Sequence, residues 1–330
     1  MRISLKNIIV PSIPLAVLLV VSCFVLWMSA FMGGHFATIP NQFTLSVQRL
    51  QSVFIPNTLL SNLICISFTL FNAFFIAQIN NKFTIIRTRT FLPILIFLLL
   101  LSTWGETHVA NGSHVALTLV ILSLFKFFSM PRDRKASEEA FMGSFLISVS
   151  SLLVNPFIFI IPLCWIGFIM FQSFSLRTFL ASIFGAITPW ILYLSVRYLI
   201  SPDMDFREVF TAIPNFDLST LSISLITLIY ICSIILILII SIFGLLSLSN
   251  GDAIHTRNRL NFLIFLLITI SILALLFRNQ YVYFLPLIAM IYALLVSHPF
   301  TLKQNNFYGI LFIIFIVINI AFIVSKYFQI

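Results

Sequence analysis

A carboxylate with two imidazoles close by is the clearest chemical pattern in this 330-residue sequence. Glu106 follows Trp104-Gly105 at the end of an apolar run, and His108 and His114 come shortly after it. Such a carboxylate can act as a general base or, with imidazoles, bind a divalent cation. Residues two apart share no helix face, so an extended segment is needed to put Glu106 and His108 on one side. A polar turn that only faces water is the competing interpretation.

A second group is the short polar segment 278–281, Arg-Asn-Gln-Tyr, which comes before Tyr283 and Pro286. An arginine with amide and phenol neighbours at headgroup level is suited to bidentate hydrogen bonding with a lipid phosphate. An arginine that simply anchors a helix end within an aromatic belt is the alternative. Arg278 and Tyr281 are therefore candidate substrate-binding residues.

The composition indicates that most of the chain is surrounded by lipid. It is 61% hydrophobic and only 8% charged, whereas a soluble domain carries about 25% charged residues. This excludes a soluble enzyme, a secreted disulfide scaffold and a disordered chain. The net charge of +9 comes from basic residues that form no continuous patch, so no nucleic-acid partner is expected. The four cysteines fall inside apolar runs without metal-binding spacing.

Eleven apolar runs predict an all-α polytopic membrane helix bundle, a single integral membrane domain over residues 1–330. The runs cover residues 8–31, 58–78, 90–104, 114–128, 140–153, 157–171, 178–198, 220–248, 260–277, 281–296 and 307–325. Several are too short to cross about 30 Å of hydrocarbon alone, so they are expected inside the bundle or where the bilayer thins. If one of them is re-entrant, the count becomes ten or twelve.

The basic residues predict that the N-terminus lies inside and the C-terminus outside. With that orientation, 13 of the 18 lysines and arginines lie at cytoplasmic ends of the runs, as the positive-inside rule requires. Two outer loops follow from it. Residues 32–57 contain an apolar stripe at Phe43, Val47, Leu50 and Phe54, which is typical of an interfacial amphipathic helix. Residues 201–219 form an acidic loop.

Residues 139–198 resemble the core of membrane glycosyltransferases of the GT-C superfamily, of the protein mannosyltransferase and aminoarabinose-transferase type. The resemblance lies in a glycine-bearing helix, an x-Pro break, a basic residue and a Gly…Pro-Trp segment: Gly143, Asn155-Pro156, Arg177, Gly185 and Pro189-Trp190. The stretch Arg278…Tyr281…Pro286 is similar to that family's basic residue followed by Tyr-x-x-x-x-Pro. Residues 80–93 also resemble uncharacterised polytopic inner-membrane proteins of the Bacteroidota.

The GT-C resemblance implies transfer of a sugar from a polyprenyl-phosphate carrier at the outer face of a bacterial inner membrane. It implies that Arg278 holds the lipid phosphate and that Asp203, Asp205 and Asp217 line the acceptor side, with Tyr281 and His108 as further substrate contacts. Enzymes of this type place an acid in the first outer loop, and residues 32–57 contain none. Glu106 is then the candidate catalytic base. The sequence indicates no particular cofactor, although a divalent cation is compatible with this site.

A non-enzymatic multi-pass protein is the other hypothesis, because the first outer loop lacks its acid. A transporter, a flippase or an assembly subunit would bind membrane lipid or membrane partner subunits without transferring a sugar. The sequence contains no Walker loop, Gly-x-Ser-x-Gly, His-Glu-x-x-His or dinucleotide-binding pattern, so a pump would need its ATPase from a partner.

Overall fold

The computed structural model describes residues 13–32, 59–108, 111–130, 136–200, 224–248, 251–303 and 305–327, and these are almost entirely helical. The α-helices are α1 Ile13–Met32, α2 Leu59–Phe83, α3 Leu92–Ser102, α4 Gly112–Phe128, α5 Ser137–Leu153, α6 Ile160–Met170, α7 Leu176–Ile200, α8 Leu225–Leu248, α9 Ile254–Leu276, α10 Tyr281–Leu302 and α11 Asn306–Tyr327. Short 3-10 helices cover Gly105–His108, Asn155–Phe159 and Arg278–Gln280. These ranges contain no β-strand. An all-α fold is therefore confirmed, and each predicted apolar run contains a helix.

Local sequence explains where the helices stop. The α5 helix ends before Asn155-Pro156, because proline disfavours a helical residue before it and supplies no N–H. Asn111 caps α4, since its side chain accepts a hydrogen bond from the Ser113 amide at 2.9 Å. Helices α9 and α10 are longer than predicted by about two turns each, because their polar ends, 254–259 and 297–302, continue the helix.

Six of the described helices are long and apolar enough to cross a membrane: α2, α7, α8, α9, the segment 278–302 that includes α10, and α11. Their burial differs strongly. The apolar window of α10 is 83% buried, whereas those of α7 and α8 are 17% buried. The α10 helix is thus the centre of the bundle, and α7 and α8 form its flank. The 11-residue helix α3 spans only about 16 Å, and it packs against α10.

One end of the bundle, here the Asp252 end, is tied together by side chains from the start of α9. Arg259 donates to the carbonyl oxygens of Phe83 and Phe128 at 3.0 and 2.9 Å. Asn258 donates to the Met170 carbonyl oxygen at 2.9 Å. These acceptors end α2, α4 and α6, where a helix is negative and a cation is favourable. Arg259 therefore joins the ends of α2 and α4.

Asp252 makes different contacts from those that its sequence neighbours suggest. The sequence groups it with Arg257 and Arg259 in one turn, and it leaves His298 without a partner. In the structure Arg87 Nε lies 2.6 Å from Oδ1 of Asp252, and His298 Nε2 lies 3.4 Å from Oδ2. The Asp252 and His298 side chains are fully buried. The difference has a physical reason. A buried carboxylate must be paired, and its partners come from segments that the fold, not the sequence order, brings next to it.

Candidate functional site

Glu106 and Tyr281 meet at the opposite end of the bundle, here the Glu106 end. The Tyr281 hydroxyl donates to Oε1 of Glu106 at 3.5 Å. The other oxygen, Oε2, is buried and has no hydrogen-bond partner among the described residues. A buried polar atom without a partner costs about 1–3 kcal/mol, and such atoms concentrate where a ligand or water completes the bonding. The carboxylate is therefore held through Oε1, and Oε2 is enclosed without a hydrogen-bond donor among the described residues.

Two 3-10 helices position this pair. Glu106 lies in the first, Gly105–His108, which Thr107 holds in place by donating from Oγ1 to the carbonyl oxygens of Leu101 and Trp104 at 2.6 and 2.7 Å. Tyr281 is the first residue of α10, directly after the second, Arg278–Gln280. Tyr281 begins the most buried of the six long helices, so the packing of that helix sets the position of the phenol.

Arg278 lies three residues before Tyr281 and is partly exposed, with Nε donating to the Leu275 carbonyl oxygen at 3.3 Å. The structure thus brings Glu106 and the 278–281 segment, both singled out from the sequence, to one end of the bundle. Asp203, Asp205 and Asp217 lie outside the described residues, as does the predicted amphipathic helix around residues 43–54.

His108 lies near Glu106 in sequence but faces another environment. The helical turn places residues two apart about 240° apart, so the extended segment needed to put both side chains on one side is absent. The His108 ring lies 4.5 Å from the Trp27 ring, measured between centroids. Burial, together with the neighbouring His114, lowers the pKa of His108 to about 4. The imidazole is consequently neutral at pH 7.

A buried polar network that the sequence did not reveal lies beside this turn. The Cys65 thiol donates to the Thr107 carbonyl oxygen at 3.2 Å. Nε2 of His114 lies 3.1 Å from the same oxygen and 3.3 Å from the Cys65 sulfur. Asn72 donates to the His114 carbonyl oxygen at 3.0 Å and accepts from Thr118 at 2.7 Å. These bonds join α2, α4 and the Glu106 turn, and they fix where the carboxylate lies.

The sequence placed Cys65 inside an apolar run without metal-binding spacing, and it gave Asn72 no role. Both lie on α2 inside an apolar run, so neither stands out by spacing. A polar side chain inside an apolar, membrane-spanning segment is costly unless it is hydrogen-bonded. That cost was the one feature of the sequence that pointed to a role for Asn72. Among the described residues, no three His, Cys, Asp or Glu side chains come together in a way that could hold a metal ion.

The comparison with known proteins identifies a family whose function is unknown. The model of DUF6427, a family of unknown function, matches residues 33–330, so the chain belongs to that family. No curated protein and no solved structure matches the chain.

Proposed function

We propose that this member of DUF6427 is a multi-pass protein of a bacterial inner membrane that transfers a sugar from a polyprenyl-phosphate carrier. In this proposal the fold has eleven membrane helices and is GT-C-like, with the Glu106 end facing outward. The observation that carries the proposal is the contact between Glu106 and Tyr281. It joins two segments, 105–108 and 278–281, to which the sequence independently assigned a base and a lipid-phosphate site.

Glu106 is the catalytic base in this scheme. Oε2 of Glu106 removes the proton of the acceptor hydroxyl. At the same time the hydroxyl oxygen of the acceptor attacks the anomeric carbon of the sugar. The bond between the anomeric carbon and the phosphate oxygen breaks, and polyprenyl phosphate leaves with the electron pair. Tyr281 bonds to Oε1, which orients the carboxylate so that Oε2 faces the acceptor. The unpartnered, buried state of Oε2 supports this assignment.

Arg278 supplies the charge that the leaving phosphate needs. A guanidinium forms two parallel hydrogen bonds to a phosphate, and the partly exposed Arg278 lies three residues before the phenol that holds the base. The guanidinium binds the one negative charge that the donor phosphodiester already carries, and it also offsets the second charge that develops on the leaving oxygen. The acidic loop, with Asp203, Asp205 and Asp217, would complete the acceptor side.

One observation favours the non-enzymatic alternative, a transporter, flippase or assembly subunit. In the part of the chain that the structure describes, Glu106 is the only carboxylate at its end of the bundle. Asp252 lies at the opposite end, and so do Glu138 and Glu139, because α5 begins there, shortly after the end of α4. The neighbouring polar groups of Cys65, Asn72 and Thr118 are bonded within the protein. A lipid-binding protein without chemistry needs no second carboxylate.

Sugar transfer in proteoliposomes tests the proposal. Purified wild-type protein and the Glu106→Gln variant are supplied with a labelled polyprenyl-phosphate sugar and an outer-membrane or protein acceptor fraction. The expected result is transfer by the wild type and its loss in Glu106→Gln. The matched control is Glu138→Gln, which removes an exposed carboxylate at the start of α5 and should leave transfer unchanged. Equal transfer by both variants would remove Glu106 as the catalytic base. No transfer by the wild type would favour the non-enzymatic alternative.

A further inference from the structure

A cavity of about 530 Å³ lies between α7 and the segment formed by the 3-10 helix Asn155–Phe159 and α6. Its volume falls within the range of about 300–1,000 Å³ that small-molecule sites occupy. Trp165 lies on its α6 wall and Trp190 on its α7 wall. Nothing in the proposed chemistry uses this cavity. Asn155 and Trp190 belong to the segments that carry the sequence resemblance, but the sequence did not indicate a cavity between them.

The walls of the cavity are suited to hydrocarbon. Asn155 is its one polar lining residue, and the others are aliphatic, proline or tryptophan. Both indole N–H groups are bonded within the protein, Trp165 to the Ser182 hydroxyl at 2.8 Å and Trp190 to the Ser151 hydroxyl at 3.1 Å. The rings therefore offer only their apolar faces and edges to an occupant.

The cavity opens on a surface that faces lipid. Ile187 and Ile191 line it and are 46% and 56% exposed. They lie on α7, a helix long and apolar enough to cross a membrane, whose apolar window is only 17% buried. Because the opening is continuous with that exposed flank, a chain can enter sideways from the bilayer.

The Asn155 side of the cavity leads to the Glu106 end. Asn155 begins the 3-10 helix in which the Phe157 and Phe159 rings lie 5.5 Å from the rings of Phe284 and Phe277, measured between centroids. Phe277 directly precedes Arg278, and Phe284 lies in the first turn of α10 after Tyr281. The Asn155 side of the cavity is consequently at the same end of the bundle as the segment 278–281, whose arginine complements a phosphate.

We propose that this cavity binds the isoprenoid chain of a polyprenyl phosphate. The choice of occupant rests on the proposed function, which supplies the phosphate head at Arg278. The wall itself favours an isoprenoid, because isoleucine methyl groups interrupted by two indole rings form an uneven surface. Such a surface packs against methyl branches and planar double bonds better than against a straight acyl chain.

Photocrosslinking with an isoprenyl phosphate that carries a diazirine on its chain tests this site in the full protein. The adducts are mapped by mass spectrometry. We expect them within 155–165 and 183–194, with competition by unlabelled undecaprenyl phosphate and none by phosphatidylglycerol at the same concentration. Adducts spread evenly over lipid-facing helices such as α11, or equal competition by phosphatidylglycerol, would overturn the proposal.

Two matched variants on α7 sharpen the test. Ile187→Trp places an indole in the mouth of the cavity, whereas Leu192→Trp makes a similar change at a residue that is 56% exposed and does not line it. We expect labelling to fall about tenfold in Ile187→Trp, because the added ring takes the space of the chain, and to stay unchanged in Leu192→Trp. Equal labelling of the two variants would contradict the site.

Labelling is independent of transfer, so the two proposals can fail separately. Glu106→Gln is expected to be labelled like the wild type, since Glu106 does not line the cavity. Transfer without cavity labelling would overturn the cavity site and leave the transferase proposal standing. Cavity labelling without transfer by the wild type would overturn the transferase proposal and leave the cavity site standing, as expected of a lipid-binding protein.

Discussion

The Tyr281 hydroxyl lies 3.5 Å from Oε1 of Glu106, although the two residues are 175 positions apart. The contact links the turn after α3 to the first residue of α10, the central helix of the bundle. A functional side chain held by a buried, rigid element keeps its geometry better than one on a loop. The position of Glu106 is therefore set by the packing of the helices and by the hydrogen bonds of Thr107.

Replacement of Tyr281 by phenylalanine is predicted to slow transfer about tenfold, since a hydrogen bond to a charged group contributes about 1.5 kcal/mol. Tyr308→Phe is the matched control, because its hydroxyl accepts a 3.5 Å hydrogen bond from Lys303 at the Asp252 end. Initial rates at saturating donor measure the effect. Equal losses in the two variants would mean that the phenol acts only through stability.

Replacement of Arg278 by alanine is predicted to raise the KM for the polyprenyl-phosphate donor about tenfold, because paired hydrogen bonds to a phosphate are lost. Arg278→Lys should recover part of that loss, since lysine keeps the charge but not the planar geometry. Steady-state kinetics with the donor varied measure both. A KM that stays at the wild-type value in Arg278→Ala would remove this residue from the donor site.

The Asp252 end gives a stability prediction. Asp252→Ala leaves Arg87 and His298 without their carboxylate, and we expect a loss of about 2 kcal/mol. This is less than for a fully buried pair, because the Arg87 side chain is 42% exposed and regains water. Thermal unfolding in detergent measures it, with Glu138→Ala as the surface control. The double variant Asp252→Ala with His298→Ala should lose less than the sum of the single losses.

Acid is predicted to destabilise the protein partly through His108. Burial lowers the pKa of His108 from 6.5 to about 4, so the unfolded chain binds the proton at a higher pH than the folded chain does. The contribution of the neutral His108 to the free energy of unfolding is complete above pH 6.5 and is lost as the pH falls towards 4. Melting temperatures at about pH 7 and about pH 5 should differ less in His108→Gln than in the wild type. An identical difference would contradict the burial of an ionisable His108.

The helices could be predicted from the sequence because apolar runs and their polar breaks are local features. Asn155-Pro156 marked the end of α5, and Arg278 marked the turn before α10. The long-range pairs could not be predicted in this way. Arg87 and Asp252 are 165 positions apart, and no periodicity in either segment names its partner.

The candidate site was predictable in part for the same reason. Glu106 stood out as an acid next to an apolar run, since a charge there is costly and demands a role. Its contact with Tyr281 depends on how α3 and α10 pack, and that is a tertiary property. The cavity beside Trp165 and Trp190 is formed by space between helices, which a sequence of apolar residues does not encode in any readable pattern.

Crosslinking of position 106 to position 281 from one side of the membrane tests whether the two residues meet at the outer face of the protein. The variant carries Glu106→Cys and Tyr281→Cys, with the four native cysteines replaced, and a protease site within 201–219 reports the crosslink. A membrane-impermeant bifunctional thiosulfonate is added to intact spheroplasts or to inverted vesicles. The account predicts that the two fragments stay joined in spheroplasts only. No crosslink in either preparation, or a crosslink confined to inverted vesicles, would contradict it.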